Sequence, residues 1–155
     1  MKRLIRCAAL ALFLTPATGS AQDYDAGMTA YDAGDYSSAF SEFSELADQG
    51  DPRAQYQIGV MYVEGEGVAT DLHMAAYFFK LAAAQDFGSA QTMLGFMYKI
   101  GIDGKKGFIS AYMWFDMGGK HSARREVAAK MAPADISEAQ RRVRVCVASN
   151  YQDCD

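Results

Sequence analysis

The stretch "IGVMYVEGEGV", residues 58–68, sets helix-forming and helix-breaking signals side by side. Ile58, Met61 and Tyr62 lie at the spacing of one helix face. Gly59 interrupts them, although a mid-helix glycine costs about 1 kcal/mol relative to alanine. The arrangement returns 36 positions later as "LGFMYKIGIDG", residues 94–104. A destabilising residue that recurs at a fixed offset points to a packing requirement.

The same offset aligns much of the chain. Ala54 and Gln55 fall on Ala90 and Gln91, Ile58 and Gly59 on Leu94 and Gly95, and Met61, Tyr62 and Gly65 on Met97, Tyr98 and Gly101. Ala75, Phe78 and Phe79 fall on Ala111, Trp114 and Phe115; upstream, Ala39, Phe43 and Ala47 fall on Ala75, Phe79 and Ala83. A period of this size is the signature of a helical repeat array. The pattern leaves no alternating strand segments, so the fold class is all-α.

Each unit reads as two helices. The first, Pro52 to Glu64, opens on a proline suited to the first turn and presents Ala54, Ile58, Met61 and Tyr62 on one face. Gly65 suits a left-handed C-cap. Asp71 is the expected N-cap of the second helix, whose stripe is Leu72, Ala75, Phe79 and Ala82, ending near Ala84. Lacking a β-carbon, Gly59 lets the two helices approach closely and makes room for Phe78–Phe79. Gly95 does the same opposite Trp114–Phe115.

The upstream unit, "AYDAGDYSSAFSEFSELADQGDPRAQ", is shorter. Downstream, Ser122 to Lys130 reads as a further helix. A last one starts at Pro133 with Ile136, Ala139, Val143 and Val147 on one face. A sealing helix is expected because a terminal repeat has no neighbour to cover it.

The pattern A-x-x-x-[IL]-G-x-M-Y-x-x-G, a loop, then A-x-x-[FW]-F resembles the Sel-one-like repeat, a branch of the tetratricopeptide superfamily. It covers two units, residues 52–121, and the upstream unit resembles an ordinary tetratricopeptide. "APADISEAQ" is similar to segments that end such arrays in bacteria. The resemblance implies a short right-handed α-solenoid of antiparallel helix pairs with a C-terminal capping helix. It implies binding of another protein, as an adaptor or regulator without a reaction or cofactor of its own. The third unit departs from the pattern. Gly107 replaces the N-cap aspartate, and Gly118 and Gly119 weaken the end of a second helix expected to be short or frayed.

The N-terminus has its own signature. Lys2, Arg3 and Arg6 precede the apolar run "CAALALFL", then Pro16 and the small residues Gly19 and Ala21. This is a cleavable export signal, with the cut expected after Ala21. The apolar run of eight residues is far short of the roughly 20 that span a bilayer, and no other segment is a candidate. The expected organisation is a signal over 1–21 and one helical domain over 22–155. That domain divides into 22–51, 52–87, 88–121 and a capping region, 122–155. The expected location is the periplasm or the exterior.

Residues 22–71 carry eleven acids and one base, whereas 72–155 carry eight acids and eleven bases. A processed chain with net charge −7 is a poor nonspecific ligand for nucleic acid. The C-terminal cations Lys120, Arg124, Arg125, Lys130, Arg141, Arg142 and Arg144 read first as a solvated helix face; contact with an anionic envelope component is the alternative. Export permits disulfides. A staple between Cys146 and Cys154 is the expected state, two separate thiols the alternative. Eight residues of helix span about 12 Å, while bridged cysteines need α-carbons within roughly 7 Å. The chain must therefore turn back between them, at Ser149–Asn150, which would let Tyr151 pack on the last helix.

No chemical motif emerges. Ser-x-x-Lys, G-x-S-x-G and H-E-x-x-H are absent from the sequence. His73 and His121 lack ligand-spaced partners, so no metal site is expected. Asp23 and Asp25 before Gly27 share the start of a calcium loop but lack its third acid and closing glutamate. The competing function classes are a hydrolase directed at cell wall or β-lactams, and a purely structural envelope protein. One face exceeds core duty. Arg53, Tyr56 and Val60 lie opposite the Ala54–Ile58–Met61 stripe, and Thr92, Phe96 and Ile100 take that face in the next unit. Such residues are either covered by neighbouring helices or line a partner-binding groove. In tetratricopeptide-like arrays the first helices line the concave side, so the resemblance favours the groove.

Overall fold

The computed structural model describes residues 19–102 and 107–154. Eight helices follow one another there: α1 (Gly19–Asp32), α2 (Tyr36–Asp48), α3 (Pro52–Glu64), α4 (Leu72–Ala83), α5 (Gly88–Ile100), α6 (Phe108–Met117), α7 (His121–Ala128) and α8 (Pro133–Ala148). Among the described residues there is no strand. Each helix from α1 to α6 packs on the next, and α8 returns to pack on α6. The result is an all-α solenoid of antiparallel pairs with a closing helix. The expected signal lies outside the described residues, apart from Gly19–Ala21, which open α1.

Local chemistry sets the boundaries. Asp51 accepts from the Arg53 backbone N–H at 2.8 Å, with Pro52 in the first turn of α3. Gly65 ends that helix at φ 75°. Asp71 accepts from the N–H groups of His73 and Met74 at 2.9 and 3.0 Å. Such aspartates stabilise helix starts by about 1 kcal/mol each. From α5 onward the helices start without a side-chain cap. At α6 the capping position is Gly107, and that helix has 10 residues against 12 in α4.

The close helix crossing expected at Gly59 is present. A β-carbon there would lie 2.6 Å from Phe79 Cε1, and one at Gly95 would lie 2.5 Å from Phe115 Cδ1. Phe78 is not part of this contact; it stacks on Tyr62 at 5.9 Å. A third crossing stands where the 36-residue offset does not find it: a β-carbon at Gly27 would lie 2.6 Å from Phe43 Cε1. Gly27 precedes its phenylalanine by 16 residues, whereas Gly59 and Gly95 precede theirs by 20. The connection between α1 and α2 is shorter by that difference.

Neighbouring units are also joined by a repeated polar contact. Gln55 Nε2 donates to the Ala47 carbonyl and Gln91 Nε2 to the Ala83 carbonyl, each at 3.3 Å. Both glutamines are buried. The donor of one helix thereby satisfies a carbonyl at the end of the preceding unit.

Two stripe assignments need correction. Leu72 is 39% exposed, since it opens α4 one turn before Ala75, the first buried residue of that helix. Val147 is 51% exposed and Cys146 is fully buried. The inward face of α8 therefore runs through Ala139 and Cys146, with Val143 packed beside them.

The disulfide between Cys146 and Cys154 is formed, with α-carbons 4.5 Å apart. Helix α8 ends at Ala148, and Asn150 and Tyr151 turn the chain back at φ 53° and 64°. Tyr151 does not settle on α8. Its hydroxyl donates to Asp86 Oδ1 at 2.5 Å, in the turn between α4 and α5. The carboxylate holds that phenolic proton and raises the tyrosine pKa, with burial adding to the effect.

Candidate interaction surface

The six residues expected on a first-helix groove separate into two groups. Arg53 turns back on its own helix start. Its Nη2 lies 2.6 Å from Asp51 Oδ2, and its guanidinium stands 4.5 Å over the Tyr24 ring. Tyr56 contacts Phe79 of α4 and Phe87, the residue just before α5, at 5.6 and 5.5 Å. Val60 is half-buried against the α4–α5 core. Thr92 Oγ1 donates to the Gly118 carbonyl at 3.3 Å. Among the apolar members Phe96 and Ile100 open to solvent, at 38% and 65% exposure, while the paired Arg53 keeps 42% of its side chain exposed. Neighbouring helices thus cover this face in the second unit and leave it open at the end of α5. The aromatic contact has also moved by one turn. Phe96 meets Phe115 at 5.0 Å, whereas Tyr56 meets the equivalent Phe79.

A second surface lies on the other side of the array. Helices α4 and α6 both pack on α5, which forms the floor of a groove between them. Two adjoining cavities share Tyr77 and Lys80 as lining. One, of about 240 Å³, is bounded by Ala76 of α4 and by Leu94, Met97 and Tyr98 of α5. The other, of about 330 Å³, is bounded by Leu81 of α4, Trp114 of α6 and the disulfide loop at Tyr151, Gln152 and Cys154. Tyr77 is 54% exposed and Leu81 36%. Apolar side chains facing water beside concave space are the usual features of a contact site. The disulfide loop, held to Asp86 by Tyr151, closes one end.

The sequence reading did not single out this groove. Its signal was available as a mismatch: the 36-residue offset that aligns Tyr62 with Tyr98 and Phe78 with Trp114 places Ala76 opposite Phe40.

Among the described residues no cluster of His, Cys, Asp and Glu is disposed to hold a metal. His73 and His121 are exposed on separate helices, and Asp25 lies within α1 rather than in a loop. The basic C-terminal region is partly neutralised by its own carboxylates. Arg141 and Arg142 each approach Glu138 at 2.8 Å, and Arg124 pairs with Asp116.

Residues 52–87 and 88–121 each match the Sel1 repeat. Together the two matched units span residues 52–121. No curated protein matches it. Among solved structures it is similar to a protective antigen of uropathogenic Escherichia coli displaying an SLR fold. That likeness has a TM-score of 0.76 and 21% identity, covering 86% of this chain and 32% of the antigen. It is also similar to a Sel1 repeat protein from Oxalobacter formigenes, with a TM-score of 0.63 and 28% identity. There 74% of this chain and 51% of the other are covered. The chain therefore spans about a third of the length of the first protein and half of the second.

Proposed function

We propose that this Sel1-repeat chain is a binding module of the bacterial envelope that recognises another protein and carries out no reaction itself. The observation that carries the reading is the groove between α4 and α6. Tyr77 and Leu81 stand exposed there beside two adjoining cavities. Export is supported by the basic, apolar and small-residue series over 1–21. The Cys146–Cys154 bond suits the same oxidising compartment.

The test is site-specific photocrosslinking in cells of the source bacterium. A photoreactive phenylalanine replaces Tyr77 in one variant and Glu42, exposed on α2, in another. The expected result is a discrete protein adduct from position 77 that position 42 does not give. Purified protein that hydrolyses peptidoglycan or a chromogenic β-lactam would overturn the non-enzymatic reading. Intact mass of the periplasmic form is expected to begin at Gln22; an unprocessed chain would remove the envelope assignment.

A further inference from the structure

The groove between α4 and α6 has a counterpart within the molecule, one unit earlier, between α2 and α4. There Phe40 meets the Tyr62 ring edge-on at 5.8 Å and 85°, and Tyr62 stacks on Phe78 at 5.9 Å and 15°. Three rings, one from each helix, fill that groove. The repeat offset carries Tyr62 to Tyr98 and Phe78 to Trp114, so two of the three rings are retained. It carries Phe40 to Ala76, and the third ring is missing. The cavity of about 240 Å³ lies against Ala76 and Tyr98, on the side that Phe40 occupies in the earlier groove. Apolar cavities of roughly 150 Å³ take up benzene, so the space suits an aromatic side chain.

We infer that this cavity receives a phenylalanine or tryptophan side chain of a partner protein, in the position that Phe40 fills in the preceding groove. The inference rests on the protein-binding reading above and adds the chemistry of what is bound. Aromatic rather than aliphatic preference follows from the lining. Tyr98 offers a ring for edge-to-face contact, and Met97 offers a polarisable thioether on the floor. Tyr77 and Leu81 continue the apolar wall beyond the cavity, where residues flanking the inserted ring would lie.

The experiment titrates the full processed protein, labelled at methionine methyls, with N-acetylphenylalanine amide, N-acetyltryptophan amide and N-acetylleucine amide. The two aromatic amides are expected to shift the Met97 methyl at lower concentration than the leucine amide. Ala76→Phe places a ring in the site. It is expected to weaken binding by about tenfold or more, because a packed interior has no room for a second ring, and to leave the melting temperature unchanged or higher. Equal response to the leucine and aromatic amides overturns the proposal, as does undiminished binding to Ala76→Phe. Unfolding of Ala76→Phe overturns it too, since the ring-sized space would then not exist. The titration needs no cellular partner, so its failure is distinct from failure of the crosslinking test.

Discussion

Between α2 and α4, Phe40, Tyr62 and Phe78 close the groove with their own rings. Between α4 and α6, Ala76 stands in place of Phe40 and the groove remains open beside Tyr98 and Trp114. Inside the units nothing comparable changes. Gly27–Phe43, Gly59–Phe79 and Gly95–Phe115 make the same crossing, with the hypothetical β-carbon 2.5–2.6 Å from the ring each time. The contrast separates two kinds of repeated position. Those at the crossing within a unit hold the helix pair together and tolerate no side chain. Those between second helices determine whether a groove is filled from within or available to another molecule.

The largest expected effects test the constant part of this comparison. Gly59→Leu and Gly95→Leu each drive a side chain into a buried phenylalanine ring. The cost lies near the upper end of overpacking, about 3 kcal/mol, even though leucine recovers nearly 1 kcal/mol of helix propensity. Urea unfolding is expected to show similar losses for the two. A loss at Gly95 much smaller than at Gly59 would mean that the third unit, with its uncapped α6, does not depend on its crossing.

Next is the disulfide, which belongs only to the open groove. Closing so short a loop restricts the unfolded chain by roughly 2.5 kcal/mol in the entropy model. The Cys146→Ala, Cys154→Ala double variant is expected to lose about that much, with hydrogen exchange rising first over 149–154. Denatured, non-reduced wild-type protein is expected to show no reactive thiol at these positions. Two labelled thiols per chain would show that the staple does not form in the cell.

Phe40→Ala opens the closed groove to match the other. Phe40 is half-buried, so the loss is set at about 2 kcal/mol, within the 1.5–3 kcal/mol for burying such a side chain. The sharper readout is functional. If the groove comparison is correct, Phe40→Ala creates a second site for the aromatic amides. If the variant loses stability but binds none, the earlier groove has collapsed rather than opened, and the two are not interchangeable.

The part of the fold legible in the sequence was the part that repeats without change. Pro52 to Glu64, the Gly65 cap and the Asp71 cap are local signals, and each acts through its immediate neighbours. Gly59 was readable because its cost recurs at Gly95. Gly27 was missed because the shorter α1–α2 connection moves it out of register, although its contact is the same. The turn at Asn150 followed from the reach of the disulfide, but the destination of Tyr151 did not. Asp86 is 65 residues away, and no local rule connects them. The open groove was the least legible feature. It depends on a side chain that is absent, and aligning similar residues does not draw attention to Ala76.

The smallest expected effect concerns the end of the open groove, where Tyr151 donates to Asp86 at 2.5 Å. The bond is solvent-accessible, so Tyr151→Phe is expected to cost only about 0.5–1 kcal/mol at neutral pH. Its pH dependence is more diagnostic than its size. The carboxylate raises the tyrosine pKa in the folded protein, while in the unfolded chain it remains near 10. The folded state therefore keeps this proton at pH values where the unfolded state has lost it. The contribution is complete below about pH 10 and disappears as pH rises through the higher folded value. Tyr31, in the first unit, has the same sign for a similar reason: its hydroxyl lies 2.5 Å from Glu66 Oε2 and 3.1 Å from Glu64 Oε2. Wild-type protein should thus lose stability above pH 10 through both tyrosines, and Tyr151→Phe should lose less over that range. Only the Tyr151 contribution should disappear after reduction of the disulfide, because Tyr151 is held to Asp86 by the loop between Cys146 and Cys154 whereas Tyr31 is not. An alkaline profile unchanged by both Tyr151→Phe and reduction would show that the loop does not hold the end of the groove in solution.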